Sequence, residues 1–235
     1  MYICAMSTTE EQTWAYEDSR RRIDALARQL NIEQRATVVP CCPLWTVNDV
    51  VGHLTGLLED RRDANMPSGS FGDWTAAQVA RQRDLPMSQV LDKWQELAAM
   101  EIDGPPSLAA LSFDIVTHEH DIYQALGIAG DRSTYSVTVG AERAGERMRS
   151  MLTEGSAPGV LATTEDGTHL CEGAETPIGL ETSCYALLRL ATGRMSRAQA
   201  QSLGWDSDPS PVLDALFADG FFVLQPYDVA EVGGF

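Results

Sequence analysis

The chain has 235 residues, of which 44% are hydrophobic and 22% are charged, so a largely disordered protein is excluded. Its 17 basic and 34 acidic residues give a formal net charge of −17, and this disfavours nucleic acid and anionic membranes as partners because their phosphates would be repelled. No apolar run approaches the roughly 18 residues that span a bilayer, and the first six residues lack the features of a secretory signal.

The cysteines are odd in number and none is arranged as Cys-x-x-Cys. They are Cys4, Cys41, Cys42, Cys171 and Cys184. This pattern disfavours both a disulfide framework and a cysteine-rich zinc site. Reduced thiols in a cytoplasmic protein are the simplest interpretation.

The first half of the chain has the pattern of a helical bundle. Apolar residues recur at helical spacing over 10–30, and Thr46 followed by Asp49 predicts a capping box for a helix that ends near Asp63. Further helices are predicted over 75–82, 87–100 and 107–126, and the last of them ends at Gly127. Breaks are predicted over 37–43, 66–73 and 103–106. Four long antiparallel helices are expected to form a bundle.

After residue 130 the pattern changes to a mixture of helices and strands. Pro158–Thr164 and Thr168–Cys171 flank an Asp-Gly pair, which is typical of a β-hairpin. Helices are predicted over 137–152, 181–191 and 212–218, with a short one after Ser196. The predicted fold is therefore mostly α, with a helical bundle at 8–130 and a smaller α+β portion at 131–235.

Two of the four histidines are predicted to lie inside the bundle. His53 is surrounded by apolar residues of its helix, and His118 follows Asp114 by four residues, which places both on one helical face. Together they could supply three ligands to a divalent metal and leave a position open for substrate. Asp121 could orient the imidazole of His118. The competing interpretation is that these are hydrogen-bonded core residues.

The other two histidines are expected to be peripheral. His120 is two residues from His118 and so faces elsewhere on the helix, where a surface position is favoured. His169 lies beside the predicted Asp-Gly turn and is expected to be exposed.

Three segments resemble the mycothiol-dependent maleylpyruvate isomerase family of the DinB superfamily. The first runs from Cys42 to Leu54 and contains His53, and the second runs from Phe113 to Gly127. The third comprises residues 190–199 and Gly204-Trp205-Asp206. The first two segments are fairly specific when they occur together, whereas either alone would be weak.

This resemblance implies a DinB-like four-helix bundle that holds a divalent metal, commonly zinc, on His53, Asp114 and His118. It also implies mycothiol as a thiol cosubstrate, activated at the metal to attack a small electrophile. Expulsion of the thiol would give isomerisation, and its retention would give S-transfer. The characterised isomerase has glutamate where this chain has Asp114, so the resemblance implies the metal more strongly than it implies maleylpyruvate.

Two arginines of the third segment are candidates for the cosubstrate site. Arg194 and Arg197 could bind a carboxylate of the thiol or of the substrate. A helix cap for Arg194 and a solvated surface for Arg197 are the favoured alternatives. Cys42 and Trp45 are interpreted as packing residues. The aromatic residues near the C-terminus, including Phe221, Phe222 and Phe235, are expected to cover the core or a face between subunits of a homo-oligomer.

Two other functions remain open from the sequence. One is a thiol-independent, metal-dependent hydrolase, lyase or cyclase of specialised metabolism. The other is a non-catalytic metal-binding or regulatory module, which would bind without turnover.

Overall fold

The computed structural model describes residues 7–100 and 106–232. Cys4, most of the predicted break at 103–106, the start of the chain and Phe235 lie outside the described residues.

The N-terminal half forms the predicted helical bundle. Its elements are α1 (Thr9–Ala27), α2 (Ile32–Arg35), β1 (Val38–Val39), β2 (Cys42–Thr46), α3 (Val47–Arg62), α4 (Phe71–Gln82), α5 (Met87–Ala98) and α6 (Leu108–Leu126). Helix α1 packs on α6, and α3 packs on α4, α5 and α6. The loop predicted over 37–43 is wrong in part, because β1 and β2 pair there as a small antiparallel ribbon. Strands this short have too few residues to show alternation.

The C-terminal half is the predicted mixture of helices and a small sheet. Its elements are α7 (Tyr135–Glu154), β3 (Pro158–Thr164), β4 (Gly167–Cys171), β5 (Glu175–Glu181), α8 (Cys184–Ala191), α9 (Arg197–Gln201), β6 (Gly204–Trp205) and α10 (Ser210–Leu216). The hairpin β3–β4 is confirmed, with Thr164 opposite Gly167. Strand β5, which pairs in parallel with β3, was not predicted, because Pro177 and Gly179 interrupt its pattern.

One hydrophobic cluster joins the two halves. Helix α7 packs against α1 and α6 of the bundle and against α8. The cluster includes Ile115 of α6, Met148 of α7 and Leu188 of α8, each with no exposed surface. Apolar packing between the elements that precede residue 128 and those that follow residue 135 therefore holds the C-terminal half against the bundle. Within the described residues, no helix is both long and apolar enough to cross a membrane.

The start of α3 is fixed by the predicted capping box. The amide of Asp49 donates to Thr46 Oγ1 at 3.2 Å, and the amide of Thr46 donates to Asp49 Oδ2 at 3.0 Å. Arg83, which follows α4, donates to the other oxygen of Asp49 at 3.2 Å. Because the first turn of α3 is fixed in this way, the direction of His53 later in the helix is fixed as well.

Two glycines of α3 let α4 approach it closely. A Cβ atom at Gly56 would lie 2.7 Å from Gln78 Cβ and 3.0 Å from Gln78 Cα, so the backbone of α4 would have to move. At Gly52 the nearest atom would be Gln82 Cβ at 3.2 Å, a milder contact with a flexible side chain. The close approach at Gly56 brings Gln78 next to His53.

We expect Gly56→Ala to lower the free energy of unfolding by up to about 2 kcal/mol. Overpacking against the backbone of α4 costs about 1–3 kcal/mol, and the gain of about 1 kcal/mol in helix propensity offsets part of it. Gly52→Ala gains the same propensity with a milder contact and serves as the matched control. Urea denaturation of both variants measures the difference, and equal stabilities would contradict the close approach of the two helices.

Candidate metal centre

Two imidazoles and one carboxylate converge between α3 and α6. Nε2 of His53 lies 3.3 Å from Oδ2 of Asp114, and Nε2 of His118 lies 3.6 Å from Oδ1 of the same residue. The potential ligand atoms of all three side chains lie within 4.8 Å of one another. The structure therefore brings together the three residues that the sequence predicts as metal ligands.

The ring of His53 is oriented by a neutral amide. Its Nδ1 lies 2.7 Å from Gln78 Oε1, and the amide nitrogen of Gln78 donates to Asp60 Oδ2 at 2.7 Å. Arg81 donates to the other oxygen of Asp60 at 2.7 Å. Because Gln78 uses its N–H on Asp60, it presents its carbonyl oxygen to His53, and Nδ1 carries the proton. Nε2 is thereby the ring nitrogen that faces Asp114 and is available to a metal.

The ring of His118 is oriented by a buried carboxylate. Its Nδ1 lies 3.1 Å from Oδ2 of Asp121, one turn further along α6. This contact is the one that the spacing predicted. A carboxylate can only accept here, so Nδ1 carries the proton and Nε2 again faces Asp114.

Asp121 is itself held by two guanidinium groups from the C-terminal half. Arg189 of α8 donates to Oδ1 at 2.6 Å, and Arg194 donates to Oδ2 at 3.0 Å. Neither Asp121 nor Arg189 has any exposed side-chain surface. Burial raises the pKa of Asp121, but the charges of Arg194 and Arg189 outweigh it, and the net pKa lies well below its ordinary value. Asp121 is therefore ionised.

Asp114 has the features of an unused ligand. Its Oδ2 is buried and accepts no hydrogen bond from any of the described residues. Burial raises the pKa of Asp114, but the neighbouring His53 and His118 outweigh it, so the net pKa is lowered. A buried carboxylate oxygen without a donor is costly unless something else neutralises it. A divalent cation fits this position, because it would contact both Nε2 atoms and the carboxylate at once.

A cavity of about 960 Å³ opens over these three residues. Trp45 lines this cavity and packs at a tilted angle against both imidazoles, with its ring centroid 4.8 Å from that of His53 and 5.9 Å from that of His118. Phe221 and Phe222 form part of the opposite wall, where sequence reasoning expected them to cover the core or a subunit face. The ring centroids of Phe221 and of Phe71 in α4 lie 4.8 Å apart, so aromatic side chains from both halves meet at the cavity.

Two cysteines line the cavity but are poorly suited to act as nucleophiles. Burial raises the pKa of Cys41 to about 11 and that of Cys42 to about 12. Sγ of Cys42 lies 3.6 Å from Arg194 Nη2, and this contact does not overcome the burial. Both thiols are therefore protonated near neutral pH.

The two candidate arginines lie in different places. Arg194 lines the cavity and is almost fully buried, and it donates to the carbonyl oxygen of Thr192 at 2.8 Å as well as to Asp121. Arg197 is 45% exposed, pairs with Asp214 at 2.7 Å and is not part of the cavity wall. Only Arg194 is thus placed near the three ligands.

The expectation of exposed positions for the other two histidines is wrong. His120 is 3% exposed and packs against Tyr185 with ring centroids 4.8 Å apart. Its pKa is lowered to about 3, chiefly by burial and then by Arg189 and Arg132. His169 is 7% exposed, with Nε2 3.2 Å from Thr164 Oγ1. The packing of α8 on α6 and α7, and of β4 on α7, covers the two side chains.

Sequence reasoning missed four residues that support the candidate ligands. Gln78 and Asp60 act on the side of His53, and Arg189 and Glu231 act on the side of Asp121. Gln78 has no exposed surface, and the alanines and valine beside it in the sequence do not indicate that it contacts His53. Arg189 is a charged residue in the otherwise apolar stretch Ala186–Leu190, and that is a signal that could have been used.

Part of the chain matches a known family model, and its fold matches two solved structures. Residues 16–108 match the family model of the mycothiol maleylpyruvate isomerase N-terminal domain. Two solved structures have the same fold: mycothiol-dependent maleylpyruvate isomerase, at 13% identity, and a histidine-to-alanine mutant of it, at 12%. In each case the TM-score is 0.54, and the match covers 80% of this chain and 90% of the other. No curated protein matched the sequence.

The resemblance seen in the sequence motifs is thereby confirmed. The matched model covers α3 but stops at the beginning of α6, so it includes His53 and leaves Asp114 and His118 outside. The similarity of fold covers 80% of the chain. Residues 16–108 therefore resemble the N-terminal domain of the mycothiol maleylpyruvate isomerase family, and the chain has the fold of mycothiol-dependent maleylpyruvate isomerase.

Proposed function

We propose that the chain is a metal-dependent enzyme in which a low-molecular-weight thiol, mycothiol or a close relative, attacks a small electrophile. The observation that carries this proposal is the convergence of two imidazole Nε2 atoms and one half-buried carboxylate in the wall of the cavity. The matched family, which is named for mycothiol, supports the choice of thiol. The product is either an isomer of the electrophile or its thioether.

His53, Asp114 and His118 would hold the metal ion, and their nitrogen and oxygen donors suit zinc. A divalent ion in such an open site lowers the pKa of a bound thiol, so that the thiolate is available near neutral pH. The three donors leave room toward the cavity, which is where a thiol and an electrophile would enter.

The other side chains of the site prepare it for this chemistry. Gln78 and Asp121 keep the protons of His53 and His118 on Nδ1, so both Nε2 atoms are free to bind. Trp45 covers the two imidazoles on one side and excludes water there. Arg194 lines the cavity and also contacts Asp121, and it could orient an anionic group of the thiol or the electrophile.

The protein's own thiols would not compete with the cosubstrate. Cys41 and Cys42 lie in the cavity wall but are held in the protonated form by burial. The proposal therefore assigns the reactive thiolate to a bound small molecule. Turnover by a variant that lacks these two thiols would also separate this proposal from a mechanism in which the protein forms the covalent intermediate.

We expect the purified protein to contain about one zinc or other divalent ion per chain, and His53→Ala and His118→Ala to lose it. Each substitution removes one of three ligands, which an open site with few donors cannot spare. Elemental analysis of the purified proteins is the measurement. His169→Ala, which removes a buried histidine outside the cavity, is the matched control and should keep the metal.

The same proteins are then assayed for conjugation of mycothiol with 1-chloro-2,4-dinitrobenzene, in which the thiolate sulfur bonds to the ring and chloride leaves. Turnover that requires both metal and mycothiol supports the proposal. Native protein that stays free of metal after addition of zinc contradicts it. Metal binding with mycothiol-independent hydrolysis would favour the thiol-independent enzyme instead, and metal binding without any turnover would favour the regulatory module.

We expect a variant with both Cys41→Ser and Cys42→Ser to keep its metal and at least about half of its thiol-transfer rate. Because both thiols are protonated near neutral pH, they take no part in the attack. The measurement is the initial rate at saturating mycothiol, with thermal unfolding as the check on folding. A loss of rate by more than about tenfold in a folded, metal-loaded variant would assign the nucleophile to the protein.

A further inference from the structure

A buried chain of charges leads from the candidate centre to the last described segment. Asp121 contacts His118 with one oxygen and Arg189 with the other. Arg189 Nη2 lies 2.9 Å from Glu231 Oε1, and Arg189 Nε donates to the same oxygen at 3.1 Å. Glu231 is thus connected to His118 through two intervening side chains.

Glu231 is built into this position and does not lie loosely against it. Its side chain is only 4% exposed, and Tyr185 Oη donates to Oε2 at 2.8 Å. Arg132 lies 3.5 Å from the same oxygen and also donates to the carbonyl oxygen of Val232 at 2.7 Å. A carboxylate that is taken out of water in this way needs several strong partners, and Glu231 has them.

The segment that carries Glu231 is docked by other contacts too. Tyr227 donates to the carbonyl oxygen of Pro40 at 2.8 Å, and Gln124 of α6 donates to that of Ala230 at 3.2 Å. Ser196 Oγ donates to Asp228 Oδ1 at 2.5 Å, which holds the same segment to the start of α9. Asp228 therefore docks the segment without touching Arg189 or Asp121, and this separates docking from the charge chain.

The charge balance explains what Glu231 does for the centre. Arg189 has no exposed surface and divides its donors between Asp121 and Glu231. Without the charge on Glu231, Asp121 would be the one remaining carboxylate contacting this buried guanidinium, among the described residues. Arg189 would then draw Asp121 toward itself and weaken its bond to His118, because a carboxylate shared with a stronger donor accepts less well.

We propose that Glu231 is a positioning residue of the candidate metal centre, acting through Arg189 and Asp121 on the orientation of His118. This inference rests on the proposed metal site and adds that the C-terminal segment helps to set the affinity of that site for the metal. The candidate ligands lie in the bundle, whereas Glu231, which helps to fix them, lies in the C-terminal segment that contacts α8.

The test compares the zinc affinity of Glu231→Gln with that of the native protein, by competition with a chromogenic chelator. The amide keeps the size of the side chain and removes its charge. We expect about a tenfold weaker affinity, at the lower end of the 10–100-fold range for outer partners of metal ligands. The d–d absorption of the cobalt-substituted protein should also change, since it reports the arrangement of the ligands.

Asp228→Asn is the matched control, because it perturbs the docking of the same segment at a residue outside the charge chain. It should bind zinc like the native protein. Equal losses in the two variants would show that docking alone matters and would overturn the proposal. Native affinity in a folded Glu231→Gln protein would overturn it as well.

A double-mutant cycle with Asp121→Asn tests the route. If Glu231 acts through Asp121, Glu231→Gln should have little further effect once Asp121 is an amide. Additive losses of affinity would contradict the route. Failure of the native protein to bind zinc would instead remove the centre itself, and the elemental analysis detects that outcome separately.

Discussion

The carboxylate of Asp121 is the point on which the candidate centre depends. It is fully buried and ionised, and it binds His118 of the bundle together with Arg189 and Arg194 of the C-terminal half. A buried ion pair adds little stability by comparison with apolar packing, but it fixes geometry, because each partner would leave an uncompensated charge if it moved. The position of one imidazole is thus tied to the packing of the two halves against each other.

The two histidines are held by chemically different partners. His53 donates to an amide that is itself held by Asp60 and Arg81, whereas His118 donates to a full negative charge. One ring thus has a neutral partner and the other a charged partner, so the two imidazoles lie in different electrostatic surroundings. The candidate centre is therefore not symmetric about Asp114, because the partner of the histidine on α3 is an amide and that of the histidine on α6 is a carboxylate.

Sequence patterns were sufficient for the local parts of this arrangement. The spacing of Asp114, His118 and Asp121 on one helix, and the capping box at Thr46, follow from helical periodicity and were predicted. The partners that come from distant positions were not, because nothing local links Gln78 to His53 or Glu231 to Arg189. The burial of His120 was missed for the same reason, since α8 supplies the cover and periodicity within α6 does not reveal it.

Because the chain is synthesised from its N-terminus, the residues of the charge chain are made later than the candidate ligands. The three candidate ligands are complete at residue 118, while Arg189 follows 71 residues later and Glu231 follows 113 residues later. Domains fold as they emerge, so the bundle can bring its ligands together before their outer partners exist. On the ribosome, the early centre would hold His53 through Gln78 and leave His118 with an Asp121 that still lacks its guanidinium partners. A metal captured at that stage would be bound more loosely than in the finished protein, and would be exchanged more readily.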